Sequence, residues 1–565
     1  MSSGNAQSSI IAPNMSHPIL GCQIAPRYHH EYDSSSPSES ELGIQVSAAA
    51  SSTPLEQHTT GVKTETVHGT TSTPIRPTTL QRGRTKSSRR IAQEQAPVGF
   101  FHSSMAGVRI HVIRLWLRTN LILAIAIMAF LCLFWGALFR QNANVRGLSI
   151  SVVDFDGQPP YTGVAPFVGP FVTRTIRNIM EEGGVVPGYS FASAEDFNND
   201  PLNVRDRVYD FHAWAAVIIN SNATAMLDTA VKLGNASYDP LGACQIIYNS
   251  ARDQITSSTY IVPSMNTLQK RVVTEFGRAW IAHLLQNNVS VTDMHLDIAP
   301  QALSPGIEFT VNDLRPFGPP VATPAVSIGL IYLIIISFFS FTFFLPIHLK
   351  YLSPKGHPPL HFYQLIVWRY IATVASYFFL SLVYSFVSLA YLMPMDRPTA
   401  SHNQPASNPN AYGRGTFMVY WMGNWIGMIA FGLASENMAM LLGSPWTALW
   451  LIFWVISNVA TGFYALELAP SFYRWGYGWP MHNVVELTRS ILFDLHPRVG
   501  LNFGILFAWA AIDSILFPLC CYYMKWNTAR VRKNAAKAEA DWHAKMDKER
   551  EEPGLLARVT TLGDK

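Results

Sequence analysis

The chain has 565 residues, 49% of them hydrophobic and only 14% charged, with a formal net charge of +4. So low a charged fraction argues against an ordinary cytosolic protein, and so small a net charge gives no reason to expect a nucleic-acid partner. Of five cysteines, Cys244 alone falls in the long polar segment after the first apolar stretch, so no disulfide framework can hold that segment together.

Residues 1–110 are rich in Ser, Thr, Pro and Gln and poor in aromatics. Such a segment buries too little apolar surface to offset its ordering entropy, and a disordered cytosolic tail is expected. It carries a basic run, Arg82-Gly83-Arg84-Thr85-Lys86-Ser87-Ser88-Arg89-Arg90. That run reads as a topology-setting flank, or as a contact with anionic lipid that phosphorylation at Ser87 or Ser88 would weaken. The first predicted span is 117–139, an uncleaved anchor rather than a signal peptide, because the long polar tail precedes it. Arg109, Arg114 and Arg118 before it, against Arg140 and Arg146 after it, give a slight positive-inside bias.

Segment 141–322 is polar and holds three N-x-[ST] triplets, Asn222-Ala223-Thr224, Asn235-Ala236-Ser237 and Asn288-Val289-Ser290. Such triplets also arise by chance, as Asn14-Met15-Ser16 in the tail does. Their clustering predicts an extracytoplasmic domain with N-glycosylation at Asn222, Asn235 and Asn288. Strand-like runs at 148–154, 214–220 and 244–249, an Asp156-Gly157 turn, and helical spacing over 164–180 and 263–285 predict a mixed α/β domain.

Five further apolar stretches follow at 325–345, 370–391, 417–442, 446–466 and 501–524, each near the length a bilayer requires. The expected architecture is therefore a membrane protein of six transmembrane α-helices (1 + 5), with the α/β domain between the first and second and both termini in the cytosol. Lys525, Arg530, Arg532 and Lys533 after the last span agree with that orientation. The short loops do not: Lys350, Lys355 and Arg369 would be inside, but Arg397, Arg414, Arg474, Arg489 and Arg498 outside. Segment 468–500 is unusually aromatic and broken by Pro and Gly, which predicts an interfacial or re-entrant loop. Within it Arg474, Trp475, Tyr477, Trp479 and Pro480 form either an outer gate or a plain interfacial anchor. Residues 483–495 have the spacing of an amphipathic helix lying along the outer leaflet. The last segment, 525–565, is a charged cytosolic tail, helical over 529–552.

The motifs of nucleotide, metalloprotease and serine-hydrolase chemistry are missing from the sequence: no G-x-x-x-x-G-K-[ST], no H-E-x-x-H, no G-x-S-x-G. His348, His357 and His361 share one loop, but the intervening Pro and Gly favour an ordinary connection. No metal, no cofactor and no catalytic residue is expected. The polar side chains inside the spans, Asp513, Glu436 and Asn424, are more informative. A charge at that depth costs roughly 2.5–3.5 kcal/mol, so it should face the bundle interior or a water-filled path. These three are candidates for a proton or substrate site, the alternative being a protonated or hydrogen-bonded group that serves packing. Gly423 and Gly427 form a G-x-x-x-G pair through which a neighbouring helix could approach closely.

Several runs carry a family resemblance: Ala213-Trp214-Ala215-Ala216-Val217-Ile218-Ile219, Asn222-Ala223-Thr224, Tyr238-Asp239-Pro240, Ile247-Tyr248-Asn249-Ser250-Ala251-Arg252-Asp253, Val326-Ser327-Ile328-Gly329-Leu330-Ile331-Tyr332, and FYRWGYGWPMHN at 472–483. With them the chain resembles the fungal nitrosoguanidine-resistance membrane proteins, a domain class of unknown function, over roughly 117–527. The resemblance implies one span, an external domain and five further spans, a plan shared with bacterial phage-infection proteins and, more distantly, ABC-2-type permease subunits. It implies resistance to toxic compounds at the plasma membrane, by export or by an effect on the bilayer, and supplies no catalytic residues. Two functions follow as expectations. One is an export component, driven by protons through Asp513 or Glu436 or by a separate cytosolic ATPase docked on loops 349–369 and 443–445. The other is a non-transporting scaffold or regulator of lipid distribution acting through the ectodomain. Membrane lipids are expected partners in either case, and a homo-oligomer is open. The chain closes on Leu562-Gly563-Asp564-Lys565, not a K-D-E-L retrieval signal, which favours the cell surface.

Overall fold

The computed structural model describes residues 99–102, 105–286, 295, 297–350, 356, 358 and 360–551. The basic run at 82–90, most of the polar tail and Asn288 lie outside the described residues.

Between the first and second apolar helices lies an α/β domain, as the alternation of patterns predicts. Its sheet has the order β2-β1-β3-β4-β5, formed by β1 (Ser149–Asp154), β2 (Gly188–Ala192), β3 (Ala215–Ile219), β4 (Cys244–Tyr248) and β5 (Phe309–Asp313). All neighbours are parallel except β3 and β4. Side chains alternate across the sheet. Ile150, Val152, Val217 and Ile219 face one layer, made by α2 (Val168–Glu182), α4 (Ala223–Leu233) and α5 (Val262–Gln286). Val153, Ala216, Ile218 and Ile247 face the other, where α3 (Pro201–Tyr209) contributes Val204 and Val208. The three strands and two helices read from the sequence are present to within a few residues. Strands β2 and β5 and helices α3 and α4 were not anticipated, because short, half-exposed segments carry little periodic signal: β2, for example, is Gly-Tyr-Ser-Phe-Ala with two exposed positions.

The apolar helices are α1 (Ala106–Ala137), α6 (Ile331–Leu349), α7 (Phe362–Ala390), α8 (Thr416–Leu442), α9 (Trp446–Gly462) and α11 (Val499–Glu551), with α10 (Pro480–Phe493) between the last two. Five of these segments are long and apolar enough to cross a bilayer: 106–137, 328–349, 362–390, 413–442 and 499–544. The chain is therefore an integral membrane protein in its construction. Helix α8 is the hub, packed against α6, α7, α9, α10 and α11. By contrast α1 touches chiefly α9 and leaves Leu117, Leu121, Ile125 and Met128 exposed, a surface suited to lipid.

Several boundaries differ from expectation. Helix α1 starts at Ala106, inside the segment assigned to the tail, because its first turns are helical yet only partly apolar. The second apolar helix is preceded by short turns at Ala322–Val326 and Ile328–Leu330 rather than starting at 325. Helix α9 stops at Gly462, four residues short of the predicted end, where Met481 packs against that glycine and the chain turns away. The last span and the charged tail as far as Glu551 form one continuous helix of 53 residues, and 552–565 lie outside the described residues. The largest correction concerns α10. It does not lie along a leaflet: every residue except His482 and Glu486 is buried, held among α8, α9 and α11. Its apolar spacing was read as one face toward lipid, whereas protein surrounds it.

Candidate functional site

Helix α7 places Arg369, Thr373, Tyr377, Ser381 and Ser385 four residues apart, and all five are buried. Side chains at that spacing stack along a helix face that winds by about 40° per step, here over about 24 Å of axis. The face meets α8, and each rung has a partner. Arg369 Nη2 donates to Glu436 Oε1, while its Nη1 lies 3.5 Å from both Met440 Sδ and Cys521 Sγ. Thr373 Oγ1 donates to Glu436 Oε2 at 3.4 Å. Tyr377 OH donates to Ser337 O at 3.1 Å and accepts from Ser340 Oγ at 3.2 Å, bringing in α6. Trp421 Nε1 donates to Ser381 Oγ at 3.2 Å, and Asn424 Nδ2 to Ser385 Oγ at 3.0 Å. The hydroxyls of Ser388 and Tyr420 extend the series at 3.0 Å. The result is a hydrogen-bonded polar seam through the apolar bundle, with an ion pair at one end.

The three intramembrane candidates do not form one cluster. Glu436 and Asn424 both join the seam, but twelve residues apart on α8. Asp513, on α11, meets a different face of α8. There Asn437 Nδ2 donates to the Asp513 carbonyl at 3.0 Å and to Oδ1 at 3.4 Å. Asp513 Oδ2 and Asn437 Oδ1 are buried without a hydrogen-bond partner among the described residues. Positions 436 and 437 point about 100° apart on a helix, which separates the two carboxyls. The G-x-x-x-G pair receives α10: a Cβ on Gly423 would stand 2.9 Å from Leu487 Cδ2, and one on Gly427 2.9 Å from Val484 Cγ2.

A second polar centre joins the α/β domain to the bundle. Arg489 of α10 donates to Asp253 Oδ2 at 2.9 Å and to the Arg252 carbonyl at 3.1 Å. The Arg252 guanidinium lies 3.8 Å above the Trp214 ring and 3.6 Å from Glu467 Oε1. Burial lowers Arg252 to about 10, partly offset by Glu467 and Glu486, so it stays cationic at neutral pH. Arg252, Arg489 and Arg498 with Asp253, Glu467 and Glu486 surround a cavity of about 50 Å³. Nearby, the wholly buried Arg315 donates to the carbonyls of Asp494, Gln404 and Ser401 at 3.0–3.2 Å. The runs 247–253 and 472–483, distant in sequence, thus meet at one junction. Two of the cations counted as loop charges are here structural: Arg489, which ran against the topology rule, in a buried ion pair at the junction, and Arg369, which agreed with it, in another inside the bundle.

In the aromatic loop Tyr477 lines the junction cavity. Trp479 packs among Trp454, Trp475 and Trp509, and Pro480 opens α10. Arg474 is exposed. Neighbouring Tyr473 donates to Leu133 O of α1 at 2.8 Å, tethering that helix. Of the sequons, Asn222 and Asn235 are half-buried. The Thr224 hydroxyl donates to Asp156 and accepts from the N–H groups of Phe167 and Val168, so this triplet has a structural reason to exist. No group of His, Cys, Asp and Glu among the described residues could hold a metal ion.

Sequence reasoning missed the seam and the junction. The Arg369-x-x-x-Thr373-x-x-x-Tyr377-x-x-x-Ser381-x-x-x-Ser385 spacing was a readable signal. The pairing of Arg489 with Asp253 was not, because 236 residues separate them.

Buried intramembrane polar groups, apolar helices around a central one and a domain inserted after the first define a polytopic membrane protein. A family model described as "Protein of unknown function (DUF3533)" matches residues 119–515, and the chain belongs to that family. It is 28% identical over 448 residues to the "Uncharacterized endoplasmic reticulum membrane protein YJR015W" of Saccharomyces cerevisiae, covering 75% of this chain and 82% of that protein. No solved structure matches the chain.

Proposed function

We propose that this chain is a permease-like component that lowers the cellular level of toxic compounds, with the α7–α8 seam as the path or its closed form. The observation that carries the reading is the seam itself. Burying a row of hydroxyls and an ion pair where hydrocarbon would suffice is costly, and such groups mark pathways in membrane proteins. Its lining of hydroxyl, amide and aromatic groups suits amphipathic compounds.

Six crossings are the topology we propose, with α9 counted despite its 17 residues. The loop after α7 contacts the α/β domain through Arg315 with Ser401 and Gln404. The loop after α9 contacts it through Arg252 with Glu467. Contact of both loops with the domain supports a path in which α8 and α9 together go across and return. The clustered sequons support a domain in the lumen or exterior and termini in the cytosol. The relative's name supports the endoplasmic reticulum as an address alongside the expected plasma membrane. Glycosidase-sensitive mass at Asn222, Asn235 or Asn288 would fix the orientation, and an unmodified protein would argue against it.

The deciding experiment is accumulation of a labelled toxic compound in cells with and without the protein, before and after a proton uncoupler. Lower accumulation that the uncoupler abolishes supports proton-driven export. Lower accumulation that survives it points to a separate ATPase. Equal accumulation with altered sensitivity removes the export reading. It would favour the second one, a scaffold or regulator of lipid distribution, which the buried ion pairs fastening the ectodomain to the bundle support. That reading requires that deleting 146–319 abolish function while substitutions in the seam do not.

A further inference from the structure

At the end of the bundle away from the α/β domain, α6, α7 and α11 enclose a cavity of about 390 Å³. Its lining combines the apolar side chains of Leu349, Phe362, Leu365 and Met524 with the cations Arg369, Lys525 and Arg532. No carboxylate lines it among the described residues. Cys521, Lys525, Thr528 and Arg532 are spaced four, three and four apart, so one face of α11 carries the stripe. The apolar part of α11 ends where Lys525 begins the charged part, which sets the basic side chains at headgroup depth. Lys525 Nζ sits 4.2 Å from the centre of the Phe362 ring. Neither Lys525 nor Arg532 has a carboxylate within salt-bridge distance among the described residues, whereas Arg369 is committed to Glu436.

We infer that this cavity binds one anionic phospholipid, its phosphate between Lys525 and Arg532 and an acyl chain along Leu365 and Met524. Charge and depth together favour this occupant: two cations with no carboxylate partner among the described residues meet apolar side chains at the level where a bilayer presents phosphates. A soluble anion would use the cations but leave the apolar side chains exposed to water. A neutral lipid would cover the apolar side chains and leave the cations unmatched. Because Arg369 reaches both this cavity and Glu436, the site touches the end of the polar seam, although the inference does not depend on transport.

The test uses the full chain purified in detergent, with anionic lipid retained per protein measured after extraction and thermal stabilisation measured on adding phosphatidylserine or phosphatidylcholine micelles. The paired variant K525Q/R532Q is compared with R530Q/K533Q, an equal charge change outside the cavity. We expect retained anionic lipid to fall about tenfold in the first and little in the second, with phosphatidylserine stabilising the unaltered protein more than phosphatidylcholine. Ala529→Trp, which fills the cavity and keeps every charge, should lose the same lipid and covers the case in which the charge variant fails to fold. Equal losses in both charge pairs would reduce the site to a diffuse basic flank and overturn the inference. Unchanged retention in K525Q/R532Q and Ala529→Trp would do the same, as would stabilisation by inorganic phosphate equal to that by lipid.

Discussion

Glu436 and Asp513 stood out in the sequence as charges inside apolar stretches, but among the described residues only Glu436 has an ionic partner. Arg369, the partner of Glu436, lay at the edge of a predicted span and was counted as a loop cation. Because both members of the pair are 3% exposed, removing one leaves the other buried and uncompensated, at about 3–5 kcal/mol. Arg369→Met should therefore destabilise the purified protein strongly, and the double change R369M/E436L much less. Unfolding midpoints of both variants in one detergent check this, and equal loss in both would contradict it. Asp154 of the α/β domain has no such ion pair among the described residues and titrates differently from an exposed carboxyl. Burial raises its carboxyl to about 6, with the Asp156 charge adding to the effect and the Asp156 N–H opposing it. Between pH 4 and 6 the folded state then holds more protons at this site than the unfolded chain. Its contribution to stability falls as pH rises through that window and is flat above it. Since the side chain is half-buried, the span is roughly 1–2 kcal/mol after allowance for solvent. Asp154→Asn should flatten that part of the stability–pH curve.

Helix periodicity made the apolar elements visible, and mistook what surrounds them. The spacing in α10 is that of an amphipathic surface helix, and nothing local distinguishes a face toward lipid from a face toward other helices. What the sequence did contain was the complementary half of the contact, Gly423 and Gly427 on α8. A Cβ at Gly427 already crowds Val484, so Gly427→Leu should push α10 outward and cost about 1–3 kcal/mol. The smaller Gly427→Ala should cost less. Retained stability of the leucine variant, measured by thermal aggregation in detergent, would show that α10 is not held there. The seam belongs to the same scale. Its serines are ordinary in isolation, and only their repetition at every fourth position of α7 separates a polar face from scattered hydroxyls.

Across the whole molecule, the junction decides whether the α/β domain and the bundle move as one. Arg489 and Asp253 are both buried, and each binds groups of the other's element. A double-mutant cycle on R489A and D253A should give a coupling energy of about 1.5 kcal/mol or more, since the pair is close and desolvated. Additive losses would mean the two parts are independent. The sequence by itself determined that the chain is a membrane protein with a large inserted α/β domain, because apolar length and strand or helix periodicity are local properties that the bilayer and the backbone enforce residue by residue. Only the tertiary structure decided which polar groups meet. The partnership of Arg369 with Glu436, of Asp513 with Asn437, and of Asp253 with Arg489 depends on which helix faces turn toward one another. That choice is made by packing summed over the whole bundle, not by any segment alone.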